Sequence, residues 1–183
     1  KFDTRLASLS PVFIRWINGE SMTLMKKWLS AAVISSVFSM PALADAEKIG
    51  WKDLLPEGFS PPPVRPQSYY DANPEADKQT HLDAPVVEAL NGKTVRIPGY
   101  VVQLEGNADA VTEFLLVPYF GACIHVPPPP PNQIIHVVYE EGVPYEHTYD
   151  AVWVEGTLKT ERTEGELAVT GYSMTASSVE VYQ

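Results

Sequence analysis

The stretch "TVRIPGYVVQL" (Thr94–Leu104) has the β-branched and aromatic content of a strand, interrupted by Pro98-Gly99. Proline removes a ladder hydrogen bond and glycine adds local freedom, so the pair predicts a bulge or bend inside the strand. Four more runs read the same way: Glu113–Tyr119, Ile134–Glu140, Ala151–Thr160 and Leu167–Tyr182, the last with an expected break near Ser173–Ser178. Clusters of Gly, Asn, Glu and Pro separate them, as hairpin connections require. Gly99, Gly156 and Gly171 accompany these runs, and glycine within a strand permits the coiling that closes a barrel. Five strands in about 90 residues fit a small closed barrel better than a seven-stranded sandwich. The predicted fold is mainly β: an OB-like five-stranded barrel, an impression supported by the "VxVEGxL" run at Val152–Leu158.

Upstream, "DAPVVEALNGK" predicts one short helix, with Asp83 as N-cap, Pro85 in its first turn and Asn91-Gly92 at its end. Before it, Asp45–Gln79 is rich in proline and turn residues. A helical turn around Trp51–Leu55 is expected there. The rest reads as an extended, irregular wrap anchored by Trp51, Leu54, Leu55 and Phe59, too apolar for a solvated linker. The expected organisation is a proline-rich wrap over residues 45–82 and a barrel domain over residues 83–183.

Residues 25–44, "MKKWLSAAVISSVFSMPALA", read as a secretory signal peptide cleaved after Ala44. Two lysines precede an apolar run shorter than the roughly 20 residues of a spanning helix, and small residues follow it. Residues 1–24 show no targeting logic and read as mis-assigned upstream sequence. The expected location is the periplasm, without stable membrane insertion after cleavage. Residues 1–44 hold five of the thirteen Lys/Arg and two of the twenty-three Asp/Glu, leaving eight basic against twenty-one acidic residues, or −13. That balance argues against nucleic acid or anionic lipid as a partner.

The chemistry-bearing residues concentrate in "PYFGACIHVPPPPPNQ" (Pro118–Gln133), which contains the lone cysteine, Cys123. In an oxidising compartment an unpaired thiol is buried, bound to metal, reactive, or paired with another molecule. In extended backbone Cys123 and His125 share one face, and zinc or Cu(I) would accept them. His136 is the candidate third ligand and His147 a further one. The competing readings are structural: Cys123 as a small buried hydrophobe, His136 as a hydrogen-bonded histidine on the face of Ile134 and Val138, and His81 as solvated. A nucleophile would need an oriented base and an oxyanion hole. The prolines carry no amide hydrogen for that hole, though Gly121 and Ala122 do. No Cys-x-x-Cys pair is present, and no catalytic residue is assigned. Pro127–Pro131 stay extended at little entropic loss. They serve either as an internal strap, the preferred reading, or as a preformed ligand for a partner's aromatic groove. Tyr119, Phe120, Tyr139, Tyr145 and Tyr149 can supply a groove internally. "TERTEGE" (Thr160–Glu166) reads as a solvated hairpin tip.

Pro118–Gln133, together with Gly92–Val102, Val152–Leu158 and "GYSMTASSVEVY", resembles the signature of an uncharacterised family of bacterial periplasmic proteins, a domain of unknown function. The likeness covers most of residues 48–182. It implies export and a genetic setting beside ABC-transporter components, including clusters linked to zinc supply, and it carries no catalytic residues. The expected function is a non-enzymatic accessory or binding protein of a transport system, in zinc or other metal homeostasis, with an inner-membrane ABC-transporter complex as partner. The alternatives are a structural interaction module without metal and a thiol-dependent enzyme using Cys123.

Overall fold

In a computed structural model, the structure describes residues 45–183. The expected upstream segment (1–24) and signal peptide (25–44) lie outside the described residues. In chain order the elements are β1 (Glu47–Lys48), α1 (Gln67–Ala72), β2 (Thr94–Gly106), β3 (Ala110–Val117), β4 (Ile135–Pro144), β5 (Ala151–Lys159), β6 (Thr163–Glu164), β7 (Val169–Thr170) and β8 (Tyr172–Val181).

Alternation along β2 buries Val95, Ile97 and Val101 on one side, and this inward stripe nucleates a closed barrel of β2, β3, β4, β8 and β5 in that order. A second pairing, of β5 with β2, closes the ring. The β4–β8 pair is parallel and the other barrel pairs are antiparallel. Closure leaves the barrel strands without an open edge. The predicted mainly β, OB-like five-stranded barrel is therefore the fold. Phe114, Leu116, Val137, Leu158 and Tyr172 fill its interior. Leu54 of the wrap is fully buried against them.

Pro98-Gly99 bends β2 without a bulge. Thr94–Tyr100 runs in unbroken register against β5, and Tyr100–Gly106 runs against β3, so the strand changes partners at this point. A Cβ on Gly99 would stand 2.8 Å from the Leu116 side chain and from the Val117 carbonyl, an approach only glycine permits. The β2 register shifts fall later, between Gln103 and Gly106. Gly156 makes the second close approach: a Cβ there would overlap the Thr175 carbonyl oxygen and stand 2.8 Å from Ala176 Cα. The last predicted strand divides at Gly171 into β7 and β8. The break expected near Ser173–Ser178 is a register shift opposite Glu155/Gly156 that leaves Ser177 unpaired within a continuous β8.

The short helix lies elsewhere than the sequence suggests. Asp83–Lys93 contains only a 3-10 turn at Glu88–Leu90, with no side-chain cap. Tertiary hydrogen bonding overrides the local helix signal: Val87 N–H donates to Tyr172 Oη at 2.7 Å, and that hydroxyl donates to the Leu54 carbonyl at 2.9 Å. Among the described residues the one short α-helix is α1, inside the wrap, where Gln67 Nε2 donates to Asp71 one turn on. The turn expected at Trp51–Leu55 forms as a 3-10 turn at Trp51–Leu54. The Trp51 indole donates to the Pro98 carbonyl at 2.7 Å, securing the wrap to the bend in β2. No helix among the described residues is long and apolar enough to cross a membrane.

Outside the barrel, Val102, Leu115, Val117 and Ile134 form a second apolar cluster on the outer face of β2, β3 and β4. Ala122 and Ala168 cover it, the first from the β3–β4 connection and the second from the β6–β7 hairpin. Tyr119 and Cys123 of the β3–β4 connection pack against this outer cluster.

Candidate functional site

The connection from β3 to β4 carries the lone thiol and the five prolines, and its two halves behave differently. In the first half the chain folds on itself. Gly121 and Cys123 both adopt the left-handed region, at φ +85° and +64°. The Gly121 carbonyl accepts from the amides of Ile124, His125 and Val126 at 3.2, 2.8 and 3.2 Å. The extended geometry that would put Cys123 and His125 on one face is therefore absent: the segment is a turn. Ala122 is fully buried, Cys123 packs beside it against the outer cluster, and His125 is exposed with its ring over Gly121. Burial pushes the Cys123 thiol up to about 12, which disfavours the thiolate that a nucleophile would need. The Tyr119 hydroxyl is likewise pushed up to about 12, by burial first and then by Cys123 and Tyr70.

The second half is the internal strap. Pro129, Pro130 and Pro131 are buried. Prolines offer carbonyls but no amide hydrogens, and the fold supplies donors to match. Gln79 Nε2 donates to the Pro129 carbonyl at 2.9 Å, and Gly171 N–H donates to the Pro131 carbonyl at 2.7 Å. Gln79 also spans to β7, donating to the Val169 carbonyl and accepting from the Val169 amide, both at 2.7 Å. Asn132 and Gln133 follow, buried, with their side-chain amides donating to the carbonyls of Pro85 and Trp51 at 2.8 and 2.9 Å. Tyr119 borders the strap together with Pro61–Pro63 of the wrap. Tyr139 lies in the barrel core.

Phe120, Tyr145 and Tyr149, which could have supplied an internal groove, face solvent. With Ile124 they border a groove of about 370 Å³ over the outer end of β2. Phe120 stands edge-on to Tyr100 at 5.8 Å between ring centroids. Exposure reaches 58% at Phe120, 63% at Ile124 and 67% at Tyr149, which makes this a deliberate apolar face and not a frayed core edge. The tight turn explains it: folding the chain around the Gly121 carbonyl buries Ala122 and turns its neighbours Phe120 and Ile124 outward. Sequence pattern missed the face because Phe120 and Tyr149 are 29 positions apart, brought together only when β5 follows the short 3-10 turn Tyr145–His147.

His136 lies apart from this turn's groove. It sits on β4, where its Nε2 pairs with Glu113 Oε1 of β3 at 2.7 Å in a separate groove bordered by the β6–β7 hairpin. Among the described residues no group of three or more His, Cys, Asp or Glu converges as metal ligands would. Cys123, His125 and His136 are thus not assembled into a three-ligand set. His147 Nδ1 pairs with Asp150 at 3.1 Å. His81 is exposed, as expected, beside Thr80 and edge-on to Phe59. Thr160–Glu166 forms the exposed arm of the β6–β7 hairpin.

A family model described as "Protein of unknown function (DUF3299)" matches residues 51–181. Among solved structures, the chain is similar to the crystal structure of a DUF3299 family protein, PA4066, from Pseudomonas aeruginosa PAO1. The TM-score is 0.70 at 46% sequence identity, over 75% of this chain and 97% of that one. No curated protein matches the chain.

Proposed function

The chain belongs to the DUF3299 family of proteins of unknown function, and from that premise we propose that it is a periplasmic, non-enzymatic accessory protein that docks a component of an inner-membrane transport complex. The observation that carries this reading is the apolar face of Phe120, Ile124, Tyr145 and Tyr149 around an open groove. Contiguous exposed apolar patches rimmed by polar residues mark contact surfaces, and aromatic side chains are favoured at the centres of interfaces. The groove is lined by aromatic and aliphatic side chains with His125 and Thr148 among them, so the fitting occupant is an apolar segment projecting from the membrane partner into the periplasm. The ABC-transporter setting comes from the family resemblance, as does zinc.

The other readings have less support. A thiol enzyme would need Cys123 as a thiolate, whereas burial disfavours that form. A proline strap offered to a partner would need to be accessible, whereas Pro129–Pro131 are buried. Zinc enters as a direct measurement: affinity of the reduced protein for zinc before and after Cys123→Ala and His125→Ala. Unchanged affinity removes that site.

The docking reading is tested by co-purification with solubilised inner membranes. The double substitution Phe120→Ser with Tyr149→Ser is expected to abolish recovery of the transport component while leaving thermal unfolding in place, since both side chains are exposed. Recovery equal to that of the unsubstituted protein refutes the docking face.

A further inference from the structure

We propose that the chain docks on a second copy of itself, the stretch "PPPVRP" (Pro61–Pro66) of each copy entering the groove of Phe120, Tyr145 and Tyr149 on the other. The inference rests on the reading of that groove as a docking face and names an occupant that the chain itself carries.

The stretch is built as a ligand. Ser60, Pro61, Pro62 and Arg65 each precede a proline, which holds them extended. Pro66 has polyproline II dihedrals, φ −61° and ψ 151°. Three residues make one turn of that helix, so Pro63 and Pro66 fall on one edge. Every residue from Ser60 to Tyr69 is exposed. The wrap nevertheless fixes the stretch in place. Leu54 is fully buried before it, and Gln79 is bonded to the strap and to β7 after it. The Arg65 amide donates to Tyr70 Oη at 3.1 Å. An exposed segment already held in one shape loses little entropy on docking.

The groove has the matching chemistry. PxxP segments dock in aromatic-lined grooves, and the rings of Tyr100, Phe120, Tyr145 and Tyr149 line this one. A polyproline backbone offers carbonyls but, at its prolines, no amide hydrogens. Gln103 and the tyrosines of the groove carry side-chain donors for those carbonyls. The lengths agree. Pro63–Pro66 spans roughly 9 Å at about 3.1 Å per residue, and Tyr100–Gln103 spans roughly 10 Å along β2. Arg65 brings a positive charge to a surface with eight basic against twenty-one acidic residues over 45–183.

Within one chain the stretch lies outside this groove. Pro61–Val64 border a cavity with Tyr119 and Pro127–Pro130, whereas the next residue after Tyr119, Phe120, borders the groove. Stretch and groove therefore lie near the same turn. A two-fold axis beside that turn lets two copies exchange stretches reciprocally, as an isologous pair.

The experiment is equilibrium sedimentation of the purified protein over a range of concentrations. A reversible dimer is expected to form below about 1 mM. Pro63→Ala with Pro66→Ala is expected to weaken it at least about tenfold, and so is Phe120→Ser with Tyr149→Ser. All four side chains are exposed, so thermal unfolding stays in place. The first variant keeps the groove and the second keeps the stretch. Mixed together they restore one of the two contacts, and they associate with each other more tightly than either does with itself. Three results each overturn the proposal: a monomer at about 1 mM, a dimer that either double substitution leaves intact, or a mixture that associates no more tightly than its components. Recovery of the membrane component is a separate readout. Its failure with the dimer intact refutes the membrane partner alone, and a monomer that still recovers that component refutes self-docking alone.

Discussion

Replacing Gln79 by alanine removes three hydrogen bonds in one step. Its side-chain amide donates to the Pro129 carbonyl at 2.9 Å and to the Val169 carbonyl at 2.7 Å, and its oxygen accepts from the Val169 amide at 2.7 Å. One side chain thereby ties the proline strap to β7, reaching fifty positions along the sequence to Pro129 and ninety to Val169. Each such bond contributes about 1 kcal/mol net. Gln79 is only half-buried, so water recovers part of the loss, and the expected destabilisation is about 2 kcal/mol. For a domain of this size that lowers Tm by roughly 6–8 °C. Equilibrium unfolding in urea measures it directly: the midpoint falls while the slope stays constant. Gln79→Glu keeps the acceptor but sets a carboxylate against two carbonyl oxygens, so it destabilises at least as much as alanine. A change below about 0.5 kcal/mol for Gln79→Ala, the range of ordinary surface substitutions, would refute the view that this glutamine clamps the strap.

Gly156→Ala places a methyl group against the backbone of β8 at Thr175 and Ala176, and overpacking of this kind costs about 1–3 kcal/mol; an unaltered urea midpoint would contradict the close approach. Cys123, held near 12 against an ordinary value of 9.0, should react with iodoacetamide at pH 8 at least about a hundredfold more slowly than a free thiol, because the thiolate is the nucleophile; labelling at the free-thiol rate would show that the sulfur is not buried. The same raised value means that the unfolded thiol loses its proton first, so the stability it contributes is intact below pH 9 and is lost as pH rises from 9 towards 12. This loss is to be read as a difference between the protein and Cys123→Ala in urea midpoints across that window. The His136–Glu113 pair, with side chains 20% and 32% exposed, should give a coupling of about 0.5–1 kcal/mol in a double-mutant cycle with His136→Ala and Glu113→Ala; zero coupling would mean that the contact is incidental.

The barrel was legible in the sequence because strand physics is local. Alternation, β-branched content and strand glycines at Gly99 and Gly156 report a curled sheet wherever they occur. The helix was misplaced because its signals at Asp83, Pro85 and Gly92 describe what the segment prefers in isolation. The amide of Val87 instead meets a tyrosine hydroxyl 85 positions away. The same limit governs the candidate site. The reading of Cys123 and His125 on one face assumed extended backbone, whereas three amides converging on the Gly121 carbonyl turn the chain there.

Composition and local pattern by themselves determined the closed β architecture, the acidic character, and the stiffness of Pro127–Pro131. Tertiary structure alone decided which prolyl carbonyls would find donors, that Cys123 would pack half-buried with its thiol pKa raised, and that Phe120, Ile124 and Tyr149 would face solvent. The reason is the range of the interactions. Propensity and periodicity act over a few residues, whereas burial, hydrogen-bond pairing and the direction of an exposed side chain depend on partners supplied from distant parts of the chain once the barrel has closed.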